Sequence, residues 1–356
     1  MRIGIFDPYL DDLGGGEKYM MTMAECLSKH HQVSVFWDSK EDLDKLLKRF
    51  TIDLSKIKLT KNIFAPKFGF FNRIRESRKF DTIIFLSDGS IPFLLSKKTF
   101  LHIQQPLAEI ENKNLKTKIK FLRISGIFCN SEYSKSFNNA LLPKNIKVIY
   151  PPVNLQAVGK DKENIILHVG RFRVKNVSGI DDYKKQGVMV KVFKEMVDEG
   201  FSGWEFVIAV SVREGEKVKF EEMKESAKGY PIRFIVNSSN DSLEEIYSKA
   251  KIYWHASGFG EDLRKHPEFA EHFGISTVEA MSAGCVPVVI NEGGQKEIVK
   301  TGDTGFLWNS LEELKSKTLK LTNDEKLLDE LSKKASVSAK KFSKEKFCQA
   351  VNELIL

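Results

Sequence analysis

The chain has 356 residues, 42% of them apolar and 29% charged, with only 10 prolines; at roughly 100–200 residues per domain this suits two ordinary domains and excludes disordered, collagen-like and low-complexity classes. The formal charge of +8 is one-sided: residues 1 to 150 carry 25 Lys/Arg against 16 Asp/Glu, and the remainder 31 against 32, so the first half is expected to meet an anionic partner. No apolar run nears the roughly 20 residues that cross a bilayer, and Met1-Arg2-Ile3-Gly4-Ile5-Phe6 lacks the apolar stretch of a signal peptide, so a cytoplasmic protein is expected. Cys26, Cys129, Cys285 and Cys348 stand far apart with no Cys-x-x-Cys pair, which predicts reduced core residues rather than a zinc site or a disulfide framework.

In chain order, a β-branched run at Ile3 to Phe6 leads into a turn-rich loop with Gly14, Gly15 and Gly16, and then a helical pattern from Glu17 to His30. Strands are predicted at Gln32 to Trp37, Thr82 to Leu86, Thr99 to Ile103 and Gly126 to Cys129, with helical stretches between them, including Lys40 to Phe50. That alternation is the pattern of a doubly wound parallel sheet. After Ile149-Tyr150-Pro151-Pro152-Val153 and a polar stretch from Gly159 to Glu163, the pattern restarts with strands at Asn164 to Val169, Trp204 to Val210, Ile232 to Val236, Ile252 to His255 and Val286 to Ile290. The reading is an α/β protein of two Rossmann-like domains, 1–155 and 156–340, facing across a cleft, with a C-terminal helix in 341–356 packing back on the first domain. Ligands of open α/β sheets bind at the carboxyl ends of the strands, which sets where to look for chemistry.

The most informative segment runs from Glu271 through His272, Phe273, Gly274, Ile275, Ser276, Thr277, Val278 and Glu279 to Gly284, just before the Val286 to Ile290 strand. Glycine after an aromatic, followed by Ser-Thr, marks a loop entering a helix, and the first amides of that helix favour an anion such as a diphosphate. Ser276 and Glu279 also have the spacing of a capping box, a purely structural alternative. Glu271 belongs to no cap. Arg171 follows the strand of 165–169 at its carboxyl end, and Lys184 or Lys185 begins the next helix, so cations converge on the same region. Charge developing on a leaving phosphate needs such a set of donors.

With these residues in place the chain resembles the retaining glycosyltransferases of family 4, which have the two-domain GT-B fold and a Glu-x7-Glu motif. Glu271 and Glu279 have that spacing. Matching pieces stand in order: Gly14-Gly15-Gly16-Glu17 as the glycine loop, Ile149 to Val153 as the interdomain link, Gly170-Arg171 and Lys184-Lys185-Gln186 as the diphosphate clamp, and Gly293-Gly294-Gln295 with Glu297-Ile298-Val299 after the motif. The resemblance implies transfer of a hexose from a UDP- or GDP-sugar to a glycan or lipid-linked acceptor. By the same resemblance Glu271, Arg171, Lys184 and His102 serve catalysis, while Gly15, Gly16, Lys185, Phe273, Gly274, Ile275, Ser276, Thr277 and Glu279 bind the donor. His255, at the end of its strand, is a weaker candidate. No cofactor and no metal is implied; the lone Asp-x-Asp, Asp42 and Asp44, falls in a helical stretch where those positions do not share a face.

The basic excess has its own location. Residues 56 to 79 hold Lys56, Lys58, Lys61, Lys67, Arg73, Arg75, Arg78 and Lys79 interleaved with Phe64, Phe68, Phe70 and Phe71, against the single acid Glu76, and residues 113 to 123 add five bases. Cations with aromatics suit an anionic membrane interface, so attachment to the inner face of a membrane is expected, and no nucleic acid. Three other readings compete. A dehydrogenase is disfavoured because the glycines do not have the dinucleotide spacing. A sugar-nucleotide epimerase shares the architecture, and a non-catalytic anionic-surface binder would explain the charge alone.

Overall fold

The computed structural model describes residues 1–12, 14–107, 114–159, 161–173, 182 and 184–356; Lys113 and most of the long loop between Phe172 and Tyr183 lie outside them. The chain divides into two units, Met1–Pro152 joined by Lys344–Leu356, and Val153–Ser343.

Among the described residues of the first unit, β1 (Arg2–Phe6), β2 (Gln32–Phe36), β3 (Ile57–Thr60), β4 (Thr82–Leu86), β5 (Lys98–Ile103), β6 (Gly126–Cys129) and β7 (Ile146–Val148) pair in parallel in the order β3-β2-β1-β4-β5-β6-β7. Its helices are α1 (Gly15–Ser28), α2 (Lys40–Phe50), α3 (Phe70–Ser77), α4 (Leu115–Leu122) and α5 (Glu132–Asn138). The central strands read as unbroken apolar runs because both faces are covered. Ile84 and Leu86 of β4 pack with Met20, Met23 and Leu27 of α1, while Ile83 and Phe85 pack on the opposite face with Phe6, Ile63 and Ile127.

The second unit repeats the plan. Strands β8 (Glu163–Arg171), β9 (Glu205–Ser211), β10 (Ile232–Val236), β11 (Ala250–His255), β12 (Val286–Ile290) and β13 (Phe306–Trp308) run in the order β10-β9-β8-β11-β12-β13, all parallel. They alternate with α6 (Gln186–Asp198), α7 (Lys217–Ser226), α8 (Asn240–Lys249), α9 (Ile275–Ser282) and α10 (Gln295–Ile298), followed by α11 (Leu311–Thr322) and α12 (Glu325–Ala339). Strand order reverses between β8 and β11, the switch point at which α/β sheets present ligand sites. Trp254, Trp308, Phe193 and Phe206 fill one side of this core.

Three strands escape the sequence reading: β3, β7 and β13. Each is three or four residues long, too short for a periodicity to declare itself, and β3 carries Lys58 in mid-strand.

The chain ends in α13 (Lys344–Ile355), which belongs to the first unit. Its Phe347, Val351, Leu354 and Ile355 join the α1 core, and Lys344 bonds the Glu25 carboxylate at 2.8 Å. Cys348 is disulfide-bonded to Cys26 of α1, their Cα atoms 5.2 Å apart. This corrects the expectation of four reduced cysteines: helix packing brings together two residues 322 apart in sequence, a pairing no spacing motif encodes. Cys129 and Cys285 are buried thiols outside any disulfide. The cysteines therefore no longer argue for a reducing compartment.

Thiol titration in denaturant tests the bond. Two reactive thiols are expected before reduction and four after it. Cys348→Ser should destabilise the first unit by about 2–4 kcal/mol in the absence of reductant and be neutral in its presence. Four thiols in unreduced protein would refute the pairing.

Candidate active site

The second unit gathers its chemistry at the carboxyl ends of β8 and β11. Gly274, with φ of 115°, caps α9, a conformation that costs other residues strain, and it also leaves room where a Cβ would lie 2.7 Å from Gln295 Nε2. The turn lets the loop reverse so that Glu271 precedes the helix while Ser276 and Glu279 lie within it. The backbone of the loop is fixed from behind, the Gly294 N–H donating to the Glu271 carbonyl at 2.8 Å. The capping-box alternative fails on this geometry. Ser276 sits two residues inside the helix and its hydroxyl accepts from Tyr253 at 2.7 Å; the Glu279 carboxylate accepts from the Tyr247 hydroxyl at 3.1 Å.

Glu271 is held by two groups. Lys184 Nζ donates to its Oε2 at 2.6 Å, and His255 Nε2 lies 3.3 Å from the same oxygen. Burial opposes ionisation of this carboxyl, but the Lys184 ammonium and the His255 ring hold it well below the usual carboxylate range. His255 is buried and its own pKa is lowered, chiefly by desolvation, so it remains a neutral imidazole donating from Nε2. Its Nδ1 has no partner among the described residues.

The two adjacent lysines part company. Lys185 adopts a left-handed conformation with φ of 58° as it caps α6, which turns the chain between consecutive side chains. Lys184 reaches Glu271, whereas Lys185 pairs with Glu261 at 2.5 Å. The Asp182 carboxylate accepts the first amides of α6, from Gln186 at 2.9 Å and Gly187 at 3.0 Å. The turn is tied to β8 by a buried relay: His168 Nδ1 donates to the Trp254 carbonyl at 3.0 Å, which leaves Nε2 to accept from Gln186 at 3.3 Å, while the same Gln186 amide approaches the Arg171 carbonyl at 3.3 Å. Burial lowers the His168 pKa to about 3, so the ring stays neutral and the tautomer is set by this relay. Arg171 itself is exposed at the end of β8.

The remaining sequence candidates lie in the first unit, where each is described by itself. His102 is wholly buried in β5, stacked between Tyr19 and Phe128 with ring centroids at 4.4 and 4.5 Å. Its Nδ1 donates to the Phe128 carbonyl at 3.3 Å, and burial lowers its pKa to about 3. Gly15 and Gly16 open α1. A Cβ on Gly16 would come within 2.2 Å of Gln104 Oε1, so the close approach this glycine permits is that of Gln104. Sequence reasoning missed His168, Tyr253, Tyr247 and Glu261. The first two carried a legible signal, polar residues near the carboxyl ends of otherwise apolar strands; the other two did not.

The class defined by two such sheets, with a cation-held carboxylate before a glycine-capped helix, is the GT-B glycosyltransferase. The chain belongs to the family of glycosyl transferases group 1, whose pattern matches residues 154–338. It is 22% identical to a GDP-Man:Man(3)GlcNAc(2)-PP-Dol alpha-1,2-mannosyltransferase of Dictyostelium discoideum, over 98% of this chain and 83% of that protein. It is 26% identical, over 92% and 91%, to a GalNAc-alpha-(1->4)-GalNAc-alpha-(1->3)-diNAcBac-PP-undecaprenol alpha-1,4-N-acetyl-D-galactosaminyltransferase of Campylobacter jejuni. In fold it is similar to Anabaena HepE in complex with UDP, with a TM-score of 0.74 at 16% identity over 99% of both chains.

The Glu271 ion pair carries a pH signature. Because its native pKa lies below the ordinary 4.5, its stabilisation is complete above that value and is lost as pH falls through the lowered one. Glu271→Gln should cost roughly 1.5–3 kcal/mol near neutral pH, and the gap in thermal midpoint from wild type should close in acid. A gap that stays constant throughout would show that the carboxylate is not the stabilised species.

Proposed function

We propose that the protein transfers a hexose from a UDP- or GDP-sugar to a lipid-linked or glycan acceptor, with retention at the anomeric carbon and without a divalent ion. The observation that carries this reading is the Lys184–Glu271–His255 cluster ahead of α9, with Arg171 at the carboxyl end of β8. Cleaving the anomeric bond leaves charge on the distal phosphate of the nucleotide. Arg171, Lys184 and the first amides of α9, at Ile275 and Ser276, are the donors that receive it, the Thr277 N–H being taken by the Gly274 carbonyl at 3.1 Å. Glu271, fully ionised, accepts hydroxyl hydrogen bonds from the donor sugar, with the Phe273 to Ile275 backbone beside it. Glu279, oriented by Tyr247, takes the ribose hydroxyls.

The acceptor assignment is supported by the lipid-linked acceptors in the names of the relatives. No helix among the described residues is long and apolar enough to cross a membrane. In this reading the basic first half of the chain brings the protein to such an acceptor at the membrane surface. In that unit His102 stays a neutral, buried imidazole whose Nε2 has no hydrogen-bond partner among the described residues.

Arg171→Ala and Lys184→Ala should each lower kcat by roughly 10² or more, the loss expected on removing a donor to developing charge. Lys185→Ala should cost stability through Glu261 and leave kcat nearly intact; the reverse ranking of the two lysines would reassign the clamp. Proton NMR of the first-formed product should show the anomeric configuration of the donor, and the rate should be indifferent to EDTA. An inverted product, or turnover that stops with chelator, would overturn the mechanism.

A further inference from the structure

The first unit contains a cavity of about 660 Å³ that the transfer reaction does not use. It lies over β2 and β3, on the sheet face opposite α1 and α2. There Ser34 stands beside Lys58, and Phe36 beside Thr60, in the parallel register. The central strands bury both faces in apolar contacts, but the edge strand β3 and its neighbour β2 turn polar side chains to this face, and α3 walls it only on one side, through Glu76. The rim is cationic: Arg2, Lys56, Lys58, Lys61 and Lys79 line it against the single carboxylate of Glu76, which Lys79 neutralises at 2.6 Å. No carboxylate of the described residues forms an ion pair with the side chains of Lys56, Lys58 or Lys61. The floor and wall are apolar, with Phe36, Ile63, Phe68 and Phe80. Lys61 is held over the Phe68 ring, its Nζ 5.4 Å from the centroid.

A second observation names the kind of ligand. On the same layer the helices expose large apolar side chains that a site for a small soluble anion would not require. Phe70 and Phe71 of α3 are 52% and 84% exposed, and Leu115, Ile119 and Leu122 form a helical stripe on α4 at 72%, 46% and 81%. Both helices border the 91–96 segment, Phe70 stacking on Phe93 and Arg123 at the end of α4 donating to the Leu94 and Ser96 carbonyls at 3.3 and 3.0 Å. Lys116, Lys118 and Lys120 punctuate the stripe. Exposed apolar groups in a cationic field match an interface of anionic lipid.

We propose that this cavity is a binding seat for the phosphate head group of an anionic phospholipid, with Lys56, Lys58 and Lys61 on the phosphate and Phe70, Phe71 and the α4 stripe in the apolar boundary beside it. The inference rests on the peripheral-membrane reading above and sharpens it from a diffuse charge to one place on the surface.

The test is cosedimentation of the full-length protein with vesicles of phosphatidylcholine containing phosphatidylglycerol, at low salt. The triple variant Lys56→Ala/Lys58→Ala/Lys61→Ala should weaken partitioning roughly 100-fold, taking each basic group at an interface at its usual worth. A control with the same loss of charge on the opposite face, Lys40→Ala/Lys45→Ala/Lys48→Ala on α2, should weaken it far less. Phe70→Ser/Phe71→Ser should reduce binding while leaving its salt dependence in place. Equal losses in the two triple variants would overturn the seat and leave a diffuse electrostatic attachment standing. Wild-type protein that ignores the vesicles would overturn the membrane reading as well. Glycerol 3-phosphate is the remaining arm. If it raises the thermal midpoint of wild type but not of the Lys56/Lys58/Lys61 variant, and prevents vesicle binding at millimolar concentration, the occupant is a soluble phosphate and the lipid assignment is wrong.

Discussion

The second unit depends on keeping one carboxylate ionised where burial would neutralise it. Glu271 sits on a loop between β11 and α9, and Lys184 on the turn before α6, 87 residues earlier. Their meeting requires that β8 and β11 be adjacent, that Gly274 turn the loop back, and that Lys185 take its left-handed conformation. Removing either charge leaves the other half-buried and unmatched, which is costlier than never having had the pair. The surrounding neutral histidines follow from the same constraint. Burial keeps His255 and His168 uncharged, and Lys184 would repel a second positive charge on either ring.

Most of the architecture was legible because parallel strands buried on both faces read as apolar runs, and the helices between them as periodic ones. The ends of the first sheet were harder. β3 is an edge strand with one face toward solvent and lysine in the middle, so its pattern reads as a charged loop. The site was legible in its residue types and less so in its pairings. Sequence order leaves Lys184 and Lys185 equivalent, and only the backbone conformation at the second of them sends the two side chains to different carboxylates. Ser276 and Glu279 satisfy the wording of a cap, but the helix starts earlier, at a glycine whose φ the sequence cannot state. Glu261 offered no signal because its partner is fixed by that same turn.

The basic excess of residues 1 to 150 divides in the fold between groups that have partners and groups that do not. Lys79 pairs with Glu76 and Lys97 with Asp81, and Arg73 donates to the Ile63 carbonyl. Arg73, although counted among the bases of the 56 to 79 stretch, is a structural residue that lies over the Phe64 ring at 5.7 Å. Phe64 is likewise core, against Phe6 and Phe85. The aromatic and basic run is thus two interleaved sets, one turned inward and one outward.

The return of α13 to the first unit also fixes an order of events during synthesis. Domains fold as they emerge, the N-terminal one usually first, but here the apolar face of α1 around Tyr19 and Cys26 has its cover supplied by residues 344–355, made only after the whole of the second unit. The second unit is contiguous, from Val153 to Ser343, with its two ends bridged side by side and the Val153 N–H donating to the Phe342 carbonyl at 3.0 Å. It can close as soon as it is complete. The first unit must wait with Phe347, Val351 and Leu354 absent from its core, so the nascent chain carries an open hydrophobic face for the length of an entire domain, and the Cys26–Cys348 bond is the last covalent step that seals it.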